Sequence, residues 1–507
     1  MKQYIRNKAV WTTPDFCPEG FAFEIQVLNY HPYDTDAVRE SVIARDMGSP
    51  VSFHRLVNVR AEEWANSLHF GNPGIFADPP KTRQEAVERY RQALEERYIQ
   101  GKPHPWLSFN GHFTCQHYAG EFGFDCIGSE IGCLIKNNQM QMAFNRGAAR
   151  QYHVPWMIDV SPWYDDFSML DYSGCSIWGV ASGPDYGHSL SYIEREYYLA
   201  YLSGASQITA EAAGITAFYP EQDENGHYKL SPHGQVCKRF YDFTRRNPDI
   251  GIPYTPFALF LDLYHGCNYG SHYKGKAFEV FPYERGDWFT YNLMELFYKG
   301  GCWETWNRPE LGSLGASPYG DTLDVLVQTA PPEVMESYPV LILSGCLDLS
   351  AEEAEKVYAY VENGGTLVMN TAYTAQLPRF AEGGNYGAGR VIRFGPDWSI
   401  HGLRSILPAL AEEYLPFTVS GEVDYLINVK ENSLLLTVMN HEGVTKLPRE
   451  LPVIDESKTQ TIDIRLKEET PLATVRELYT DTDLPVSPQQ TVTLKPGEIR
   501  VLEFTFA

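Results

Sequence analysis

The chain has 507 residues, 43% of them hydrophobic and 21% charged, which is enough apolar material for several cores and excludes a disordered polymer. Its formal charge of −24 opposes a nucleic-acid backbone or an anionic membrane surface, so a neutral ligand is the expected partner. The opening MKQYIRNKAVWTTPDF has no apolar signal region and nowhere do 18 apolar residues run together, so neither a leader nor a membrane span is expected and the cytoplasm is the default location.

Up to residue 250, apolar strand-like runs alternate with amphipathic helices. The runs are Phe21–Leu28, Pro50–Val57, Pro105–Phe109, Phe124–Ile127, Val154–Val160, Cys175–Val180 and Gln207–Ala210, with a weaker eighth at Ile215–Tyr219. TRQEAVERYRQALEERYIQG opens on a Thr82/Glu85 capping box, and HSLSYIEREYYLAYLSG stops at Gly204. Such alternation predicts a parallel sheet, and seven or eight units in this length predict a closed (β/α)8 barrel over 1–250.

In such a barrel the chemistry sits at the C-terminal ends of the strands. Glu130 closes the fourth run (FDCIGSE) and Glu211 the seventh (SQITAE). Two carboxylates across a sugar can cleave a glycosidic bond, one as acid and the other as nucleophile or base. The bland alternatives are a carboxylate at a helix N-terminus for Glu130 and an ion pair to Arg146 or Arg150 for Glu211. Glu121 precedes its strand and belongs at the opposite end. Asp159 lies inside an apolar run as a buried orienting group. Asp165, Asp166, Asp223 and the reserve candidate Glu221 read as loop residues. Other strand ends supply hydroxyl partners and stacking surfaces: His54, Asn110, His112, Ser161, Trp163 and Trp178.

Residues 251–418 continue the alternation with a new set of strands, TPFALFLDL, LDVLVQ, YPVLILSG, GTLVMNT and GRVIRFG. The helix between the third and fourth has a Ser350/Glu353 capping box, an apolar face through Ala351, Ala354, Val357, Tyr358 and Val361, and an Asn363-Gly364-Gly365 stop. This predicts a doubly wound, flavodoxin-like domain. From 419 to 507 alternating segments such as DYLINVKENSLLLTVMNHEG and QQTVTLKPGEIRVLEFTF predict a small antiparallel β-sandwich.

The nine cysteines follow no CxxC spacing, which argues against a disulfide framework. Cys115, Cys126 and Cys133 lie close in sequence but lack the ligand spacing of a zinc finger or ribbon, and neither metal nor other cofactor is expected. Cys346 follows a buried strand, where a cysteine hydrolase places its nucleophile, yet His401 is the nearest histidine in sequence and no glycine-rich elbow surrounds the thiol.

The order of barrel, flavodoxin-like module and sandwich resembles the three-domain layout of glycoside hydrolase family 42 β-galactosidases and their clan A relatives. YPVLILSGCLDLSAEEAEKVYAYVENGGTLVMNT is similar to that family's amidotransferase-like trimerisation domain. The resemblance implies a retaining, exo-acting hydrolase of a terminal β-linked sugar, with Glu130 as acid/base, Glu211 as nucleophile and a homotrimer as the assembly. It also places Ser129 against the substrate, at the position where clan A enzymes carry asparagine. From other classes stand two readings: a carbohydrate-binding or assembly protein on an inactive barrel, and a cysteine hydrolase using Cys346.

Overall fold

The computed structural model describes residues 22–25, 57–60, 79–101, 107–132, 138–164, 168–174, 179–266, 275–278, 280–298 and 314–507. Its first sheet begins with β1 (Ala22–Ile25), β2 (Val57–Arg60), β3 (Leu107–Asn110), β4 (Cys126–Ile131) and β5 (Trp156–Val160). A short pair follows, β6 (Met169–Leu170) with β7 (Ser182–Gly183), and the sheet resumes with β8 (Gln207–Ala210). The six strands of the sheet are parallel, in the order β1-β8-β5-β4-β3-β2.

From β2 to β8 each new strand joins beside the last, so right-handed crossovers deliver the helices to one face of the sheet. These are α1 (Arg83–Gly101), α2 (Cys115–Phe122), α3 (Asn138–Tyr152) and α4 (Leu190–Leu202). The α1 cap forms as the sequence indicates, with Glu85 N–H donating to Thr82 Oγ1 at 3.0 Å, although the Glu85 carboxylate reaches back to Lys81 N–H at 2.7 Å. Behind α4, Gly204 takes a left-handed φ of 91°, as the stop signal requires.

The expectation of eight strands is corrected. β5 pairs directly with β8, so the run Cys175–Val180 places no strand between them; residues 175–178 lie outside the described set, and Gly179 and Val180 belong to no strand. The run Ile215–Tyr219 instead forms a helical turn, Ala213–Thr216, and the start of β9 (Phe218–Gln222), which folds back antiparallel on β10 (Tyr228–Leu230). A tight turn suffices for a hairpin, whereas entering the parallel sheet needs a full crossover. No ladder joins β1 to β2 among the described residues.

After α5 (Pro232–Arg246) comes the second sheet, with β11 (Phe257–Leu261), β12 (Leu323–Val327), β13 (Val340–Leu343), β14 (Thr366–Asn370), β15 (Gly384–Tyr386) and β16 (Gly389–Phe394). Spatial order is β12-β11-β13-β14-β16-β15, parallel except for the last pair. In chain order the parallel strands therefore lie 2-1-3-4-5, the flavodoxin-like arrangement, with its switch point between β11 and β13. Helices α6 (Arg285–Phe297) and α7 (Ala351–Glu362) belong to this unit; the Ser350/Glu353 box on α7 is closed from both sides.

β12 is an edge strand, and α3 covers it. Arg146 donates to Leu323 O at 3.0 Å and Gln151 Oε1 accepts from Val327 N–H at 3.0 Å; from α2, His117 Nε2 lies 2.9 Å from Val325 O. Gly147 permits the approach, because a Cβ there would sit 1.8 Å from Val325 O. Exposed strand edges invite foreign strands, and here the first unit satisfies that edge.

The C-terminal segment forms two antiparallel sheets. The elements are β17 (Phe417–Val419), β18 (Asp424–Val429), β19 (Ser433–Met439), a hairpin of β20 (Val444–Thr445) with β21 (Val453–Ile454), β22 (Gln460–Leu466), β23 (Leu472–Glu477), β24 (Thr482–Leu484), β25 (Gln489–Leu494) and β26 (Ile499–Phe506). The larger sheet runs β18-β19-β26-β23-β24 and gains Ile252–Pro253 at its β18 edge; the smaller runs β17-β22-β25. Phe417 and Phe504 meet between them with ring centroids 5.2 Å apart. β19 is buried along its whole length, while β22 alternates buried and exposed positions. The larger sheet also packs against the first unit, where Asn428 donates to Leu202 O at the end of α4 at 2.8 Å.

Candidate active site

Alternation along β4 decides which side chains face the helices and which face away. Ser129 faces the helices. It is fully buried, with its Oγ 3.1 Å from Gln116 Nε2 of α2 and 3.1 Å from Asn145 Oδ1 of α3. Glu130, the next residue, therefore lies on the opposite face. The expectation that Ser129 contacts substrate is corrected on this ground, since its hydroxyl belongs to a polar network between sheet and helices.

On the face away from the helices, register lines up Glu130 with Asp159 and Asp159 with Thr209. Ser161 and Glu211 stand two residues beyond Asp159 and Thr209, hence on that same face. Their N–H groups continue the ladder, Ser161 to Ile131 O at 2.8 Å and Glu211 to Val160 O at 3.0 Å. With one strand between them, the Cα atoms of Glu130 and Glu211 are about 10 Å apart across the sheet and about 7 Å along it. Glu130 is half-buried, Asp159 is buried, and Glu211 is 8% exposed.

The strand ends turn sharply. Gly132 takes φ 120°, and a Cβ there would lie 2.6 Å from Ser161 O. Ala212, directly after Glu211, holds a left-handed φ of 51° while buried; for a residue with a Cβ that conformation costs roughly 1–2 kcal/mol. Strain of this kind concentrates at functional sites. Trp163, half-buried, packs against Met169, Ala212 and Ile215, which places an indole beside the Glu211 turn.

The structure thus brings Glu130, Asp159, Glu211, Ser161 and Trp163 to one sheet end. His112 is fully buried in the turn after β3. Its Nδ1 lies 3.0 Å from Gln141 Nε2, while Gln141 Oε1 accepts from Phe113 N–H at 3.1 Å. Burial lowers the imidazole to about 3, so it is neutral in any ordinary medium. Asn110 closes β3 opposite Gly128. His54, Trp178, Asp165, Asp166 and Cys133 lie outside the described residues. Cys115 and Cys126 are buried and form no disulfide.

The ion pair proposed for Glu211 is replaced by another. Arg146 binds Asp321 at 2.9 Å and Asp324 at 2.8 Å, and Arg150 binds Asp324 at 2.5 Å and Pro253 O at 2.7 Å. Both guanidinium groups therefore point across α3 to the second sheet. Glu121 is exposed and pairs with Arg91, and Glu221 is exposed on the β9–β10 hairpin.

A second cluster gathers at the switch point of the second sheet. Asp262 Oδ2 accepts from Cys346 N–H at 2.9 Å, and His265 Nδ1 lies 3.1 Å from Asp287 Oδ1. Arg83 of α1 grips Asp287 with two bonds of 2.9 and 2.5 Å. Burial, with Asp287 and Asp262 nearby, pushes the Cys346 thiol up to about 12. A thiol so held is a poor nucleophile, although the histidine that the sequence appeared to lack is present as His265. His401 is exposed.

No family model matches the chain, and no curated protein matches it. Among solved structures its fold is similar to a catalytic mutant of Gan42B, a GH42 β-galactosidase from G. stearothermophilus, at 12% identity and a TM-score of 0.49, covering 83% of this chain and 67% of that one. It is similar to the β-galactosidase of Bacillus circulans sp. alkalophilus at 11% identity and a TM-score of 0.49, covering 83% and 67%. The β-galactosidase of Rahnella sp. R3 matches at 10% identity and a TM-score of 0.47, covering 84% and 68%.

Proposed function

We propose that this chain is a retaining glycoside hydrolase that removes a terminal β-linked sugar from a short oligosaccharide or glycoside. The observation that carries this reading is that Glu130 and Glu211 lie on one face at the C-terminal end of a parallel sheet, with one strand between them and Trp163 beside the second. The family resemblance in the sequence assigns the roles. Glu130 protonates the glycosidic oxygen as its bond to the anomeric carbon breaks, and Glu211 attacks that carbon from the opposite side. Glu130 then takes a proton from water, which displaces Glu211 and releases the sugar with its configuration retained. Asp159 stands between the two on β5 and orients them. Trp163 provides a face on which a sugar ring stacks. The galactoside comes first through the same resemblance, which also supports a trimer held by the second domain.

The test is release of 4-nitrophenol from a panel of α- and β-glycosides by the wild type, Glu130→Ala and Glu211→Ala, with azide added to each variant. The expected result is activity on one β-glycoside, lost in both variants, with azide yielding β-glycosyl azide from Glu130→Ala and α-glycosyl azide from Glu211→Ala. Undiminished activity in either variant removes that residue from the mechanism. A wild type that binds sugars but turns over none of them leaves the binding-protein reading.

A further inference from the structure

The wall beside Glu211 is a folded segment with its own internal ties. Met169 N–H donates to Ala181 O at 3.0 Å, Leu170 N–H to Pro162 O at 3.4 Å, and Tyr172 N–H to Ile215 O at 3.4 Å. Asp171 gathers the turn, its Oδ1 accepting from Ser173 N–H and Oγ at 2.6 Å each and its Oδ2 from Ser182 Oγ at 3.2 Å. Gly187, at φ 68°, lets the returning strand lie against this shelf, because a Cβ there would sit 2.4 Å from Pro162 O. The segment carries Trp163 and rests on the turn Ala212–Ile215.

What reaches this wall from outside is Lys446, next to β20 in the C-terminal hairpin. Its side chain is buried, with Nζ donating to Asp185 O at 2.8 Å and to Leu447 O at 3.0 Å, while its own carbonyl accepts from Tyr164 OH at 2.6 Å. Three residues further on, Arg449 lies over the Tyr186 ring at 5.8 Å. His188 stands between Tyr164 and Tyr192, with centroid distances of 4.9 and 4.4 Å. Burying an ammonium is unfavourable unless hydrogen bonds compensate it, and a methionine would fill the space without that cost. The lysine side chain does what an apolar one cannot, since its ammonium ties the Asp185 carbonyl to another part of the chain, while the main-chain carbonyl of residue 446 holds the Tyr164 hydroxyl.

We propose that Lys446 is a positioning residue of the active site, fastening the wall formed by residues 161–164, 168–174 and 179–188 so that Trp163 is held at the sugar-binding face. The C-terminal sandwich is then part of the catalytic unit. This rests on the glycosidase reading for its effect on substrate, but the fastening itself does not. Two variants test it, Lys446→Met and the milder Tyr164→Phe, with Lys446→Arg as the conservative rescue. Hydrogen exchange followed by mass spectrometry is expected to speed up about tenfold in peptides 161–174 and 181–188 of Lys446→Met, less in Tyr164→Phe, with α4 and β14 unchanged. On the cleaved glycoside KM rises about tenfold with kcat within threefold, and Lys446→Arg recovers most of both.

Unchanged exchange in both variants overturns the proposal. So does exchange raised throughout the sandwich, which marks a general packing role, or faster wall exchange with KM unmoved in an active enzyme. A wild type without glycosidase activity sinks the functional reading alone, because the exchange result still decides whether Lys446 fastens the wall.

Discussion

Two parallel sheets in this molecule gather acidic side chains at their C-terminal ends, and they treat them differently. At the second, Asp287 is gripped by Arg83, an arginine of the first unit, and shared with His265, while Asp262 caps the Cys346 N–H. Burial alone would raise the Asp287 carboxyl, but the hydrogen bonds from Arg83 and His265 outweigh it and hold the group well below the usual carboxylate range. At the first, the guanidinium groups of the neighbouring α3, Arg146 and Arg150, are engaged with Asp321 and Asp324 of the other sheet. The lesson is that a switch-point crevice whose charges are neutralised by the adjoining unit serves as a joint between units. The two arginines of α3 serve the same joint, engaged with Asp321 and Asp324 rather than with Glu130 or Glu211.

The sharpest break of this contrast is chemical. Glu211→Ala is expected to lower kcat/KM by about 10³-fold or more on the cleaved glycoside, whereas Cys346→Ala stays within about twofold; the reverse pattern would move the active site to the second sheet. Next in size is alkylation. A thiol pushed up to about 12 is ionised at pH 8 about 10³-fold less than an ordinary cysteine of pKa about 8.5. Iodoacetamide labelling of Cys346, followed by mass spectrometry, is therefore expected to lag a free cysteine by about that factor. Labelling at the rate of an exposed thiol would show that the joint opens readily.

The five parallel strands of the second sheet were legible one by one, while its antiparallel edge strand Gly384–Tyr386 was not. Strands such as Leu323–Val327, Val340–Leu343 and Thr366–Asn370 are buried at every position, so each appears in the sequence as a short, mostly apolar run between turn signals. In the first unit the same rule misread Ile215–Tyr219, an equally short run, because at that length a barrel strand is not distinguished from a helical turn or a hairpin arm. Glu130 and Glu211 were legible as charges that end apolar runs. Which face Ser129 takes was not, since alternation becomes meaningful only once α2 and α3 are in place. A trace of it exists: Asn138, Gln141 and Asn145 form a polar stripe at helical spacing on a fully buried stretch of α3. The joining of Asp262, His265 and Asp287 with Arg83, about 200 residues away in the chain, left no local signal at all.

Arg83→Met tests the joint as a joint. It leaves the Asp287 carboxylate buried without its main cation, a change that costs about 3 kcal/mol, to be read from urea unfolding monitored by exchange of α6. The pH dependence has a definite sign. A carboxyl held low in the folded protein contributes stability that is fully present above its unfolded pKa of about 3.9 and disappears as pH falls through the lower folded value. The wild type and Arg83→Met are therefore expected to differ most near neutrality and to converge under acid, as Asp287 protonates in both. A gap that widens on acidification would mean that Arg83 acts through another group.

The smallest effect separates the two faces of β4. Ser129→Ala removes a hydroxyl that serves Gln116 and Asn145 on the helix side, and a buried hydrogen bond of that kind contributes about 1 kcal/mol. Because the side chain points away from Glu130, kcat and KM are expected to stay within about twofold while the exchange of α2 and α3 amides rises. Ser129→Asn adds a larger group to the packed layer between sheet and helices, so it is expected to destabilise more than alanine does without improving turnover. If Ser129→Asn instead raised kcat/KM, or Ser129→Ala raised KM tenfold, residue 129 would contact the sugar. The alternation that places Glu130 with Asp159 and Glu211 would then be shifted by one residue, and the two faces of the strand would exchange roles.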